Sequence, residues 1–132
     1  MINRNDLPLV SLHSMNTTHF DEIAIINLLL VQIDTKVNYE TLSLTLEKLI
    51  EHIYQHFSSE EKLMKDTQYP SFNMHKADHD KVLNQARYAE MEWRNKKDVN
   101  LLNEYIREEF IPWLDQHIKA MDTPMADFIS QF

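Results

Sequence analysis

The 132-residue sequence has no glycine, no cysteine and only four prolines. Without glycine it cannot build a Gly-rich phosphate loop, and no Ser/His/Asp order stands in a nucleophile-elbow context. Without cysteine it has no disulfide framework, no thiolate metal site and no cysteine nucleophile, so any metal must be held by nitrogen and oxygen. Long apolar runs are also missing. Residues 1–8 lack an apolar signal core, and residues 23–33 are too short and too interrupted a run to span a bilayer. A soluble, cytoplasmic protein without a membrane partner is expected. The 13 basic residues are dispersed among 21 acidic ones, for a net charge of -8, which argues against a nucleic-acid surface.

What remains favours helix. Leucine, isoleucine and seven methionines dominate the apolar content, and the chain length suits one domain spanning residues 1–132. Residues 1–15, with Pro8, show no period and read as an extended arm. From Asn16 the spacing alternates between three and four: Asn16, His19, Ile23, Ile26, Leu30, Ile33, Val37. After a break at residues 38–41 it resumes through Leu42, Leu46, Leu49, Ile53, His56, Glu60 and Leu63. Tyr69-Pro70 marks a connection. A third stripe runs Phe72, His75, His79, Val82, Ala86, Ala89, Trp93, and a fourth Leu102, Ile106, Phe110, Trp113, His117, Met121. Thr123 could cap a short last helix over residues 124–132. The expected fold is all-α: an up-down-up-down antiparallel four-helix bundle over residues 16–122, with an N-terminal arm and a short C-terminal helix.

That topology brings the start of the first helix, the end of the second, the start of the third and the end of the fourth to one end of the bundle. His19, His56, Glu60, His75, His79 and His117 all fall there. Any one of them alone reads as an ordinary satisfied core side chain. Six together, at one layer of core stripes, would each cost about 1 to 3 kcal/mol if buried without partners, and a shared metal removes that cost. Asp122 is five residues beyond His117, about 140° round an α-helix. It joins the site only if the helix ends at Thr123-Pro124 and lets the chain unwind. Five imidazoles and two carboxylates exceed one tetrahedral ion and suit two octahedral ions bridged by carboxylates. Pro112, inside the fourth helix, removes the hydrogen bond to Glu108 and should kink it.

The order His19, His56-Phe-Ser-Ser-Glu60, Tyr69-Pro70, His75-x-x-x-His79, Trp113-x-x-x-His117-Ile118, Asp122 resembles the hemerythrin family in its bacterial, single-domain form, over nearly the whole chain. The resemblance implies two iron ions sharing an oxo or hydroxo bridge, without haem, that bind dioxygen reversibly. His75, His79 and His117 would hold one iron, and His19 and His56 the other. Glu60 and Asp122 would bridge both. It also implies a dry dioxygen pocket lined by Phe57, Trp113, Leu114 and Ile118, although such residues on helices are as often plain core.

Two positions depart from the family pattern, Pro112 in the fourth helix and Glu22 in the first. Glu22 stands where an apolar pocket residue is usual. It lies about 60° round from His19, so it either enters the pocket as an extra ligand or proton relay or remains an exposed acid near a helix start. Binding rather than catalysis is the leading expectation: carriage, storage or buffering of dioxygen, with no catalytic residue assigned. The alternative is a diiron oxidase, peroxidase or sensor that uses Glu22. His13 and His52 have no place in the ligand set, and Glu61 reads as a solvated or interhelical charge.

Overall fold

The computed structural model describes residues 2–132, so of the expected arm only Met1 lies outside the described residues. Three helices, α1 His13–Asp34, α2 Tyr39–Asp66 and α3 Phe72–Lys96, are followed by a fourth rod made of contiguous segments. These are α4 Val99–Glu104, a π turn Tyr105–Phe110, α5 Ile111–His117, a second π turn Ile118–Asp122 and α6 Thr123–Ile129. The rods pack α1 on α2, α2 on α3, α3 on α4 and α1 on α4, which closes the bundle. Among the described residues there is no strand, and no helix is long and apolar enough to cross a membrane.

The apolar stripes meet along the axis. Ile26, Leu30, Leu42, Leu46, Leu49, Ile53, Val82, Leu102 and Ile106 are buried there. Each such side chain contributes about 1.5 to 3 kcal/mol relative to exposure. This apolar middle sets the axial register of the rods, and so fixes what meets at the polar end.

α1 begins at His13, three residues before the helical period starts in the sequence. Asn16 is turned toward the arm: its Nδ2 donates to the Val10 carbonyl and its Oδ1 accepts from the Val10 N–H, both at 2.9 Å. Asn27 clasps Ile2 the same way, at 2.7 and 2.8 Å. Two side-chain amides thus satisfy the arm's backbone as a neighbouring strand would, and Leu7 and Val10 are buried beneath it.

The helices end without glycine. Lys36, Gln68 and Lys97 adopt φ of 56°, 54° and 52°, the left-handed region that glycine usually fills at a helix C-terminus. At the end of α1, Lys36 N–H donates to Ile33 and Val37 N–H to Gln32. At the end of α2, Gln68 N–H donates to Lys65 and Tyr69 N–H to Met64. Both pairs are the Schellman arrangement, which satisfies carbonyls the helix leaves free.

The fourth rod differs from the expectation in two places. No helix end occurs at Thr123-Pro124: the α-helical segment at the C-terminus is present, but it continues directly from the turn before it. Thr123 does not cap with its side chain. Its Oγ1 donates to the Ile118 carbonyl at 2.8 Å, and its N–H reaches the same carbonyl, a five-residue bond. Pro112 is likewise preceded by a π turn, in which Ile111 N–H reaches the Ile106 carbonyl. The missing amide of Pro112 is thus accommodated beside a turn that is already widened.

Candidate metal centre

His19 lies in the second turn of α1, His56 and Glu60 near the end of α2, His75 and His79 in the first two turns of α3, and His117 and Asp122 in the last part of the fourth rod. The four-residue spacings put His56 over Glu60 and His75 over His79. The π turn does the same for a five-residue spacing, because five residues close one π turn as about four close an α turn. Asp122 therefore reaches the interior from a continuous helix.

The structure brings all seven of these side chains into one buried cluster, each no more than 3% exposed. They fall into two donor groups whose facing atoms lie within 4.8 Å of one another: Glu60, His75, His79, His117, Asp122 and His19, His56, Glu60, Asp122. The carboxylates belong to both groups because each divides its oxygens. Glu60 turns Oε1 to His79 Nε2 at 3.1 Å and His75 Nε2 at 3.3 Å, and Oε2 to His56 Nε2 at 2.6 Å. Asp122 turns Oδ1 to His117 Nε2 at 3.0 Å and His75 Nε2 at 3.1 Å, and Oδ2 to His19 Nε2 at 3.0 Å. All five imidazoles point Nε2 inward.

A metal fits this arrangement better than the side chains fit one another. His79 Nε2, Glu60 Oε1 and Asp122 Oδ1 are buried, close to neighbours, and make no hydrogen bond. Their lone pairs converge on shared points instead of meeting donors head on, as ligand atoms do. Nitrogen and carboxylate oxygen in this ratio suit iron and comparable divalent ions.

Outside the cluster, three carboxylates hold the opposite ring nitrogens. Glu22 Oε1 lies 3.1 Å from His56 Nδ1, Glu61 Oε2 3.0 Å from His79 Nδ1, and Asp78 Oδ2 2.7 Å from His117 Nδ1. Asp78 also accepts from Trp113 Nε1 at 3.1 Å. An acceptor at Nδ1 places the proton there and frees the Nε2 lone pair for a metal. No local pattern in the sequence marks Asp78. The signal was the Trp113/His117 pair, two N–H groups on one helical face that need a common acceptor. Glu61 is interhelical, and it rests on a member of the cluster.

Glu22 is wholly buried, so it is not an exposed helix-start acid, and it lies outside both donor groups. Its Oε1 also meets His52 Nδ1 at 3.1 Å, while Oε2 makes no hydrogen bond. Burial works to raise its pKa. The positive charge of His56 and the hydrogen bonds from His52 and His56 outweigh that and hold it at about 2. Burial works to lower the His56 pKa, and the charges of Glu60 and Glu22 raise it well above the usual imidazole range. His75 is likewise opposed by burial and raised to about 9 through Asp122 and Glu60. Without metal, the cluster holds protons where cations would sit.

Of the four expected pocket residues, Leu114 and Ile118 are fully buried and Phe57 nearly so. Phe57 stacks on His79, and Trp113 stacks on His117 with ring centroids 4.6 Å apart. His13 is exposed.

Residues 8–129 match the family described as Hemerythrin HHE cation binding domain. A bacteriohemerythrin of Aquifex aeolicus (strain VF5) is 31% identical over 114 residues, which is 85% of each chain. Among solved structures, a wild-type hemerythrin superposes with a TM-score of 0.80 at 22% identity, covering 92% of this chain and 91% of that one. A point-mutant hemerythrin superposes equally well over 92% and 90%. At that identity the two structures speak for the fold.

Proposed function

This chain belongs to the hemerythrin family, and from that premise we propose that it holds two iron ions and binds dioxygen reversibly, as a carrier, store or buffer. The observation that carries the proposal is the division of oxygens at Glu60 and Asp122. Each gives one oxygen to the group containing His75 and the other to the histidines of α1 and α2. A carboxylate so placed would serve two ions, one with each oxygen. A single ion would draw both oxygens to one side.

His75, His79 and His117 would hold one iron and His19 and His56 the other, with three histidines on one ion and two on its neighbour. The iron pair, when bound, supplies the electrons for reversible dioxygen binding. The protein's part is to hold and to exclude. Glu22, Glu61 and Asp78 keep protons on the outer nitrogens of His56, His79 and His117, so the inner nitrogens of those three are available as ligands. Phe57, Trp113, Leu114 and Ile118 cover the cluster with apolar surface that keeps out water, which would otherwise drive irreversible oxidation. Glu22 lies outside both donor groups, and its Oε1 is engaged by His52 and His56. That supports binding over the oxidase reading in which it ligates.

The absorption spectrum of aerobically purified protein tests this. Bands of an oxo-bridged diferric pair that bleach with dithionite, and colour that fades under argon and returns in air, are expected. Zinc alone after iron-replete expression would end the proposal.

A further inference from the structure

The most telling group outside the ligand cluster is Glu22. It reaches from α1 across to α2, and one oxygen serves two imidazoles a helical turn apart, His52 and His56. A carboxylate with no exposed surface is costly to bury, and here two imidazoles, His52 and His56, offset that cost. Two divalent ions would add a second reason for its charge, bringing four positive charges against the two negative charges of Glu60 and Asp122. Of the three outer carboxylates, Glu61 and Asp78 are 20% and 23% exposed and share their charge with water, whereas Glu22 is at 0%. Its charge acts on the site at low dielectric.

The geometry also singles out one ion. With Glu22 fixed on Nδ1, the His56 ring cannot turn or change tautomer, and its Nε2 faces Glu60 Oε2 at 2.6 Å. The other α1/α2 imidazole, His19, has no acceptor at Nδ1 among the described residues. Orientation and polarisation of that pair therefore rest on a single outer contact. We propose that Glu22 is a positioning residue for the ion held by His19 and His56, fixing the His56 ligand atom and stabilising the higher charge of that ion, with His52 holding the carboxylate in place. The inference rests on the two-ion reading above.

Anaerobic titration of metal-free protein with ferrous iron tests it, on wild type, Glu22→Gln and Glu22→Leu, with the midpoint potential of each loaded form. Wild type is expected to take up two ions. Both variants should retain one ion at wild-type affinity and bind the other about 10- to 100-fold more weakly. Their midpoint potential should rise, because a negative charge beside the ion has gone. The midpoint potential separates this role from a purely structural one, which would lower only the melting temperature of the metal-free variants. Two ions at unchanged affinity and potential in both variants would overturn the role of Glu22 and leave the proposed function standing. A wild type that takes up fewer than two ions would overturn the proposed function itself.

Discussion

Phe57 and His79 lie face to face, with ring centroids 4.0 Å apart and planes within 2° of parallel. The same phenyl ring meets the edge of Trp113 at 5.8 Å, so one side chain of α2 presses on an imidazole of α3 and on the indole that caps His117. Replacing Phe57 with alanine is expected to cost about 3 to 5 kcal/mol of stability, as for other buried aromatics. It should also speed conversion of the loaded protein to the ferric state by admitting water. Urea unfolding and the rate of autoxidation measure the two effects. A variant that keeps wild-type stability and oxidation rate would remove Phe57 from both roles.

The shared carboxylates predict an asymmetry between ligand losses. Asp122→Ala removes an oxygen from each donor group and is expected to abolish binding of both ions. His19→Ala touches only one group, and should leave about one ion per chain on the three-histidine side. Iron content by elemental analysis distinguishes them. Equal losses in the two variants would mean that Asp122 does not bridge.

Metal and protons compete for the same atoms, so the metal-free protein should show a characteristic pH profile. His75 is raised from 6.5 to about 9. The stability it contributes is fully present below pH 6.5 and is lost as pH rises through about 9. Glu22 is lowered from 4.5 to about 2. Its contribution is present above pH 4.5 and is lost as pH falls through about 2. The metal-free chain should therefore be most stable between these limits and melt at a lower temperature at pH 9 than at pH 6, by about the same measure in any non-coordinating buffer. Iron takes the place of the protons and should abolish the alkaline decline. Melting curves at both pH values, with and without iron, check this, and a metal-free melting temperature flat across that range would contradict it.

The glycine-free helix ends predict simple gains. A non-glycine residue in the left-handed region costs about 1 to 2 kcal/mol. Lys36→Gly and Gln68→Gly should each stabilise the protein by about 0.5 to 1 kcal/mol after the added flexibility of the unfolded chain is deducted. Lys97→Gly should gain least, because Lys97 Nζ lies 4.8 Å from the centre of the Tyr39 ring and that attraction would be lost. Urea midpoints rank the three, and a fall at Lys36 or Gln68 would show that the turn is held by something other than backbone conformation.

The bundle could be read from its stripes because burial of one face repeats every three or four residues. His56, Glu60, His75 and His79 follow the same rule, being pairs one α turn apart. Asp122 does not follow it. Its place depends on a π turn, and an α period assumed from His117 points it away. Asn16 fits the period numerically, yet its amide serves the arm, since a stripe cannot tell a core position from one that binds backbone. Glu22 is ambiguous in the sequence, because the helix dipole offers an exposed acid a reason to sit near α1's start. Only the arrival of His52 and His56 from another helix explains a buried one. Asp78 has no sequence-local reason at all: its partners, Trp113 and His117, are 35 and 39 residues away.

The second π turn has one consequence for chain length. Between His117 and Asp122 the rod carries one residue more than an α turn needs, and Lys119 and Ala120 face solvent. Excising either would leave the aspartate four positions beyond the histidine, where an unperturbed α-helix already superimposes them. Met125, Ala126 and Ile129 would keep their buried directions, because the residue removed and the turn tightened cancel in angle. By this geometry a chain one residue shorter would present the same ligand set, and the extra residue is a spacer written into the helix rather than into a loop.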